Sequence, residues 1–64
     1  MLYIVKRLGD TYYLSSFENK KNQIEYEFTP LKSEALKLPH NIAESYINTI
    51  REIEGGKYEL LSQK

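Results

Sequence analysis

The chain has 64 residues, 41% hydrophobic and 28% charged, with nine Lys and Arg balancing nine Asp and Glu. This is one small domain spanning 1–64 with an ordinary globular composition, and it is not a disordered tail. With no net charge it lacks the field that draws basic proteins to nucleic acid or anionic membranes, and with no cysteine it has no disulfide, no thiolate metal site and no Cys nucleophile. A chain this short buries only roughly 60% of its unfolded surface, so packing alone, or packing plus a partner chain, must hold it. The apolar start, Met1–Val5, stops at Lys6-Arg7. That is too short for a signal-peptide core, and no run approaches the ~20 apolar residues of a membrane span. A cytoplasmic protein is expected.

Residues 2–8 (Leu-Tyr-Ile-Val-Lys-Arg-Leu) are rich in β-branched and aromatic types and predict a strand. Gly9-Asp10 predicts a two-residue turn with Gly at positive φ. Residues 11–17 resume the β pattern, closing a hairpin over 2–17. Glu18–Asn22 is polar and turn-prone, which predicts a loop. Residues 23–29 alternate, with Ile24, Tyr26 and Phe28 on one face and Glu25 and Glu27 on the other, the pattern of a half-buried strand. Pro30 ends it. Residues 31–38 suit one helical turn followed by an extended piece, and Pro39 separates them from the next element.

A helix over 41–54 is the strongest pattern. Asn41 is positioned as N-cap with Glu44 three residues on, as in a capping box. Ala43, Tyr46, Ile47, Ile50 and Ile53 or Glu54 recur at helical spacing, and Gly55-Gly56 stops it. Residues 57–62 predict a last strand. The order is β-β-β-α-β. The expected fold is α+β: a three-stranded antiparallel meander, one amphipathic helix packed on one face, and a short C-terminal strand. A right-handed crossover would place that strand parallel to the first.

One helix covers one face of a sheet, and the opposite face of an antiparallel sheet is normally polar. Here Leu2 and Ile4 oppose Tyr3 and Val5, and Tyr12 and Leu14 oppose Tyr13 and Phe17, so both faces of the hairpin carry large apolar groups. Either the 31–38 segment or the twist of the sheet covers the second face, or Tyr3, Tyr12, Tyr13 and Phe17 form an exposed patch for a protein partner or a second copy of the chain.

The chemistry-bearing residues do not assemble into a recognisable site. His40 is the only histidine; it lies between Pro39 and the expected cap, at the helix N-terminus, and reads as a solvent-exposed loop residue. Glu25 and Glu27 read as the wet side of a strand, not as a metal site, and the glycines do not form a phosphate loop. No cofactor and no enzymatic activity are expected. Lys6, Arg7, Tyr13, Lys20 and Lys21 offer an alternative, a single-stranded nucleic-acid surface in which Tyr13 stacks on a base. Against it stand the balanced charge and the neighbouring glutamates, and the two basic pairs should lie a strand length apart.

The strand Tyr3-Ile4-Val5-Lys6-Arg7, the Tyr-Tyr-Leu strand, Glu34-Ala35-Leu36-Lys37-Leu38, the helix with Ala43-Glu44 and Tyr46-Ile47, and the closing Tyr58-Glu59-Leu60-Leu61 together resemble a loose group of very short proteins encoded by phages and prophages of Gram-positive bacteria. The resemblance rests on packing positions. It implies an accessory protein acting in the host cytoplasm by binding, and often blocking, a host protein, and it transfers no functional residue.

Overall fold

The computed structural model describes residues 1–63. Its strands are β1 (Leu2–Arg7), β2 (Tyr12–Lys20), β3 (Gln23–Thr29) and β4 (Tyr58–Gln63), with a 3₁₀ turn at Lys32–Glu34 and a helix α1 (His40–Glu54) between β3 and β4. They form one antiparallel sheet in the order β3-β2-β1-β4. The fold is α+β in the expected β-β-β-α-β order.

The sheet is split along its middle. β2 and β3 pair along nearly their whole length, and so do β1 and β4, but β1 and β2 meet only at Lys6–Tyr13 and Arg7–Tyr12. Beyond those pairs the strands part, and residues 36–38 enter the gap. The Leu36 N–H donates to the Leu14 carbonyl at 2.9 Å, and Tyr3 and Leu38 exchange hydrogen bonds in both directions at 2.7 and 2.8 Å. The segment after Pro30 is therefore a helical turn and then an extended piece, as its sequence suggests, and the extended piece supplies backbone partners that β1 and β2 do not give each other.

This return path sets the direction of β4. The chain leaves β3 at Thr29, level with Tyr13, and runs back to Tyr3 by Leu38. α1 then travels the length of the sheet again, from His40 beside Tyr3 to Glu54 beside Arg7. β4 starts opposite Arg7 and runs antiparallel to β1. The expected parallel strand is thereby corrected: the return of residues 30–38 consumes one crossing, so the helix delivers the chain to the other end.

Three local expectations are also corrected. The first turn has four residues, Leu8–Thr11, closed by the Thr11 N–H on the Arg7 carbonyl at 3.0 Å. The positive φ of 60° belongs to Thr11, not to Gly9. The second turn is only Lys21-Asn22, because Lys20 pairs with Gln23, so β2 absorbs Glu18–Lys20. α1 begins one residue before Asn41, on Pro39, whose carbonyl accepts the Ala43 N–H at 2.9 Å. No side chain caps it, and Glu44 turns instead to His40 Nδ1 at 3.5 Å. His40 is thus exposed at the helix N-terminus, as expected, but as the first residue of the helix and not of the preceding loop. Gly55, at φ 72°, ends the helix as expected, with its N–H on the Arg51 carbonyl.

A β-bulge between Leu14 and Ser16 decides how β2 faces the core. Leu14 pairs with Phe28 and Phe17 with Tyr26, so one extra residue is absorbed and the alternation changes phase. Phe17 therefore joins Leu14 on the helix side, correcting its expected place opposite Leu14, and stacks on Tyr46 with ring centroids 3.8 Å apart. The buried cluster is Val5, Leu14, Ala43, Ile47 and Ile50, flanked by Phe17, Tyr26, Phe28, Leu36, Leu38, Tyr46, Tyr58 and Leu60. Ile53 is 55% exposed, and Glu54 takes the sheet-facing position in the last turn.

Leu14 is fully buried, so Leu14→Ala should cost about 2–5 kcal/mol, a large share of the stability of so small a domain. Ile53→Ala should stay within about 1 kcal/mol. Urea titrations of both variants will measure the contrast. Because Thr11 holds a left-handed conformation that β-branched residues avoid, Thr11→Gly should raise stability by about 1 kcal/mol, seen as a higher urea midpoint at unchanged slope.

Candidate functional site on the sheet and its outer face

The registers sort every strand residue onto the helix side or the outer side. On the helix side lie Tyr3, Val5 and Arg7, Tyr12, Leu14 and Phe17, Tyr26 and Phe28, and Tyr58 and Leu60. On the outer side lie Leu2, Ile4 and Lys6, Tyr13 and Ser16, Glu25 and Glu27, and Glu59, Leu61 and Gln63.

The polar end of the helix side is organised by Arg7. Its Nε and Nη2 donate to the Asp10 carboxylate at 3.0 and 2.7 Å, and its Nη1 reaches Glu54 Oε1 at 3.3 Å. The guanidinium lies 4.1 Å over the Phe28 ring and 5.7 Å from that of Tyr12. One side chain thus ties the first turn, the end of α1 and two strands together, with the bidentate and stacked geometry particular to arginine. The hydrogen bond and charge of Asp10 raise the Arg7 pKa, and the same contact lowers that of Asp10. Burial, reinforced by the charge of Glu54, raises the Tyr26 and Tyr58 hydroxyls. These tyrosines stay protonated at neutral pH, and Tyr58 donates to the Gly55 carbonyl at 2.7 Å. The cluster clamps the fold, and its donors are spent on that.

The four aromatic residues singled out from the sequence do not share one surface. Tyr3 meets His40 edge-on at 5.1 Å, Tyr12 lies beside Arg7, and Phe17 is stacked under Tyr46, all on the helix side. Tyr13 alone lies on the outer face, opposite Lys6. The basic set is divided as well. Arg7 is held by Asp10 and Glu54, and Lys20 Nζ lies 3.5 Å from Glu18 and 4.0 Å from Glu25. Lys6, level with Tyr13, and Lys21 are left near opposite ends of β2, roughly 25 Å apart at ~3.3 Å per strand residue.

The outer face has two unlike halves. Over β2 and β3 it is acidic, with Ser16, Glu18, Glu25 and Glu27 around a shallow depression of 460 Å³ whose lining is completed by Ile24 and Tyr26 of the edge strand β3. Among the described residues no group of three His, Cys, Asp or Glu could hold a metal ion. Over β1, β4 and the inserted segment it is apolar. Ile4 is only 1% exposed although it points away from the helix-side core. Thr29 is buried at the far end, where its hydroxyl donates to Glu34 and accepts the Leu31 N–H. The 3₁₀ turn covers only that end. At the other end Met1, Leu2, Lys37 and Gln63 line an open concavity of 590 Å³, with Met1 82% and Leu2 41% exposed. The sequence shows Leu2 on the face opposite Tyr3, but nothing local in it brings Lys37 alongside. That arises from the insertion of residues 36–38.

Among the described residues no helix is long and apolar enough to cross a membrane. Compared with known proteins, the chain matches no family model, no curated protein and no solved structure.

The lowered Asp10 pKa has a direct consequence. The stability it contributes is fully present above the unfolded value near 3.8 and is lost as pH falls through the lower folded value. Acid titration of the wild type should show a stability loss below pH 3.8 that Asp10→Asn lacks, because that variant has already lost the ion pair at neutral pH.

Proposed function

We propose that the protein is a noncatalytic protein-binding module that docks a partner on the apolar half of its outer face. The observation that carries this reading is the exposure of Met1 and Leu2 around a concavity with Lys37 and Gln63, where an antiparallel sheet covered by one helix would otherwise be polar. Exposed apolar surface rimmed by polar groups is the usual mark of an interaction site. Tyr13 lies further along the same face and extends the surface with a large side chain carrying a polar tip. Lys37 at the rim favours a partner with an acidic residue beside its apolar anchor. The resemblance to short phage and prophage proteins supports the same role, that of an accessory factor that binds or blocks a host protein in the host cytoplasm.

Affinity capture from a host extract, run in parallel on variants, tests the reading. Leu2→Glu should abolish retention of the partner and Tyr13→Ala should weaken it severalfold. Tyr12→Ala, on the helix side, should leave retention unchanged in the folded fraction. Thermal melts will establish that each variant folds. Retention that follows Tyr12 and ignores Leu2 and Tyr13 would place the contact elsewhere.

A further inference from the structure

The outer side of β4 is an open sheet edge. The Leu8 N–H donates to the Lys57 carbonyl at 3.0 Å. Carrying the alternation of an antiparallel ladder along the β1–β4 register, Glu59, Leu61 and Gln63 direct their backbone groups at β1. The double hydrogen bond of Tyr3 to Leu38, away from β4, fixes the same phase from the other side. The N–H and C=O groups of Tyr58, Leu60 and Ser62 therefore point outward from the sheet. β4 carries neither proline nor bulge, and Glu59 is its only acid or base, so the usual guards of an exposed edge are missing. α1, packed over β1, stands beside this edge. Glu44, Ile47, Asn48 and Arg51 form with Tyr58 and Leu60 a groove of 340 Å³ on the helix side.

We propose that this edge is a self-association surface and that its occupant is a second copy of the chain, added as an antiparallel β4–β4 pair on a two-fold axis through Leu60. Two features of the edge select that partner. In this register Leu60 faces Leu60 of the second copy and Tyr58 faces its Ser62, so every outward backbone group of these three residues finds a partner. The same rotation lays the two helices antiparallel, placing Glu44 of each copy opposite Arg51 of the other, with Asn48 near the axis. The helices pack over β1, three strand spacings apart across the pair, roughly 14 Å. That is too wide for direct helix packing at about 8–10 Å, and it is a gap that long, oppositely charged side chains span. Arg51 forms no ion pair within the described residues, and Glu44 has only His40, at 3.5 Å on its own helix. The β3 edge fails the same construction, since a two-fold axis through Tyr26 sets Glu25 against Glu27 of the other copy, and like charges directly opposite repel. The apolar concavity on the outer face lies clear of the pairing, so this inference stands apart from the proposed partner site.

Sedimentation equilibrium over a concentration series, with amide hydrogen exchange, tests the proposal. The wild type should form a dimer in which the Tyr58, Leu60 and Ser62 amides become protected as concentration rises. Arg51→Glu should weaken dimerisation at least roughly tenfold through like-charge contact, and the swap Glu44→Arg with Arg51→Glu should restore it. Ser62→Pro removes a donor that only the second copy uses, at an edge position where proline is tolerated, and should give a folded monomer. A wild type that stays monomeric throughout overturns the proposal. So does a dimer that ignores Arg51→Glu and Ser62→Pro, or one whose three amides exchange freely.

Discussion

β1 and β2 are joined at only two residue pairs, and the rest of the architecture depends on the segment that fills the gap they leave. A pair of strands that separates exposes backbone donors and acceptors on both facing edges, and an apolar interior cannot leave these unmatched. Residues 36–38 meet the need from both sides, giving an N–H to Leu14 and a reciprocal pair to Tyr3. The same alternation turns Leu36 and Leu38 into the core cluster and leaves Lys37 on the outer side. One short segment thus acts as an inserted strand, a source of core side chains and a rim for the outer concavity. Because it travels back along the sheet to do so, it also fixes where α1 begins and which way β4 runs.

Two devices reconcile this split sheet with a single helix. The bulge in β2 brings Phe17 to the side of Leu14, so β2 supplies the core with side chains three positions apart where an unbulged strand would have sent Phe17 away. Stacking of Phe17 on Tyr46 then joins the outer half of the sheet to the helix, which otherwise packs over β1. Arg7 does the corresponding work at the other end of the sheet. Its aromatic and carboxylate contacts reach β2, β3, the first turn and the end of α1, where all four strands are joined and the apolar core gives way to charged side chains. An arginine whose guanidinium is satisfied on its edges by acids and on its face by rings suits such a boundary better than a hydrophobic residue, because Arg7 is 26% exposed and its partners Asp10 and Glu54 are 46% and 42% exposed, so a purely apolar contact there would be half wet.

Features set by near neighbours in the chain were legible in the sequence. The helix showed in the spacing of Ala43, Tyr46, Ile47 and Ile50, its end in Gly55, and β3 in the alternation of Ile24, Tyr26 and Phe28. Features set by long-range contacts were not. The phase change at Leu14–Ser16 is visible only against β3, so Phe17 reads from the sequence as an outward aromatic. The positive φ falls on Thr11 because Arg7 pairs with Tyr12 and leaves four residues to close, a length that Gly9-Asp10 alone does not reveal. The direction of β4 depends on the return path of residues 30–38. The aromatic residues divide for the same reason: which face Tyr3, Tyr12, Tyr13 and Phe17 take depends on the registers, and these place only Tyr13 outside. The concavity at Met1 and Leu2 needed Lys37, which is adjacent only in space.

Net charge shows the same difference between average and arrangement. The balance of acids and bases suggests a surface without a field, yet the outer face is segregated. Glu18, Glu25 and Glu27 crowd the β2–β3 half, answered there by Lys20, while the β1–β4 half carries Lys6 and the inserted Lys37 on apolar ground with Glu59. Within a Debye length of about 8–10 Å an approaching molecule meets one half or the other, never the average. The acidic half repels an anionic backbone and guards the β3 edge against pairing with its own copy, since the glutamates stand in line along it. The apolar half has neither restraint, and the adjoining β4 edge is equally unguarded. Surface open to association is therefore concentrated where the split in the sheet brought the inserted segment through, on the side of the molecule that a count of its charges describes least well.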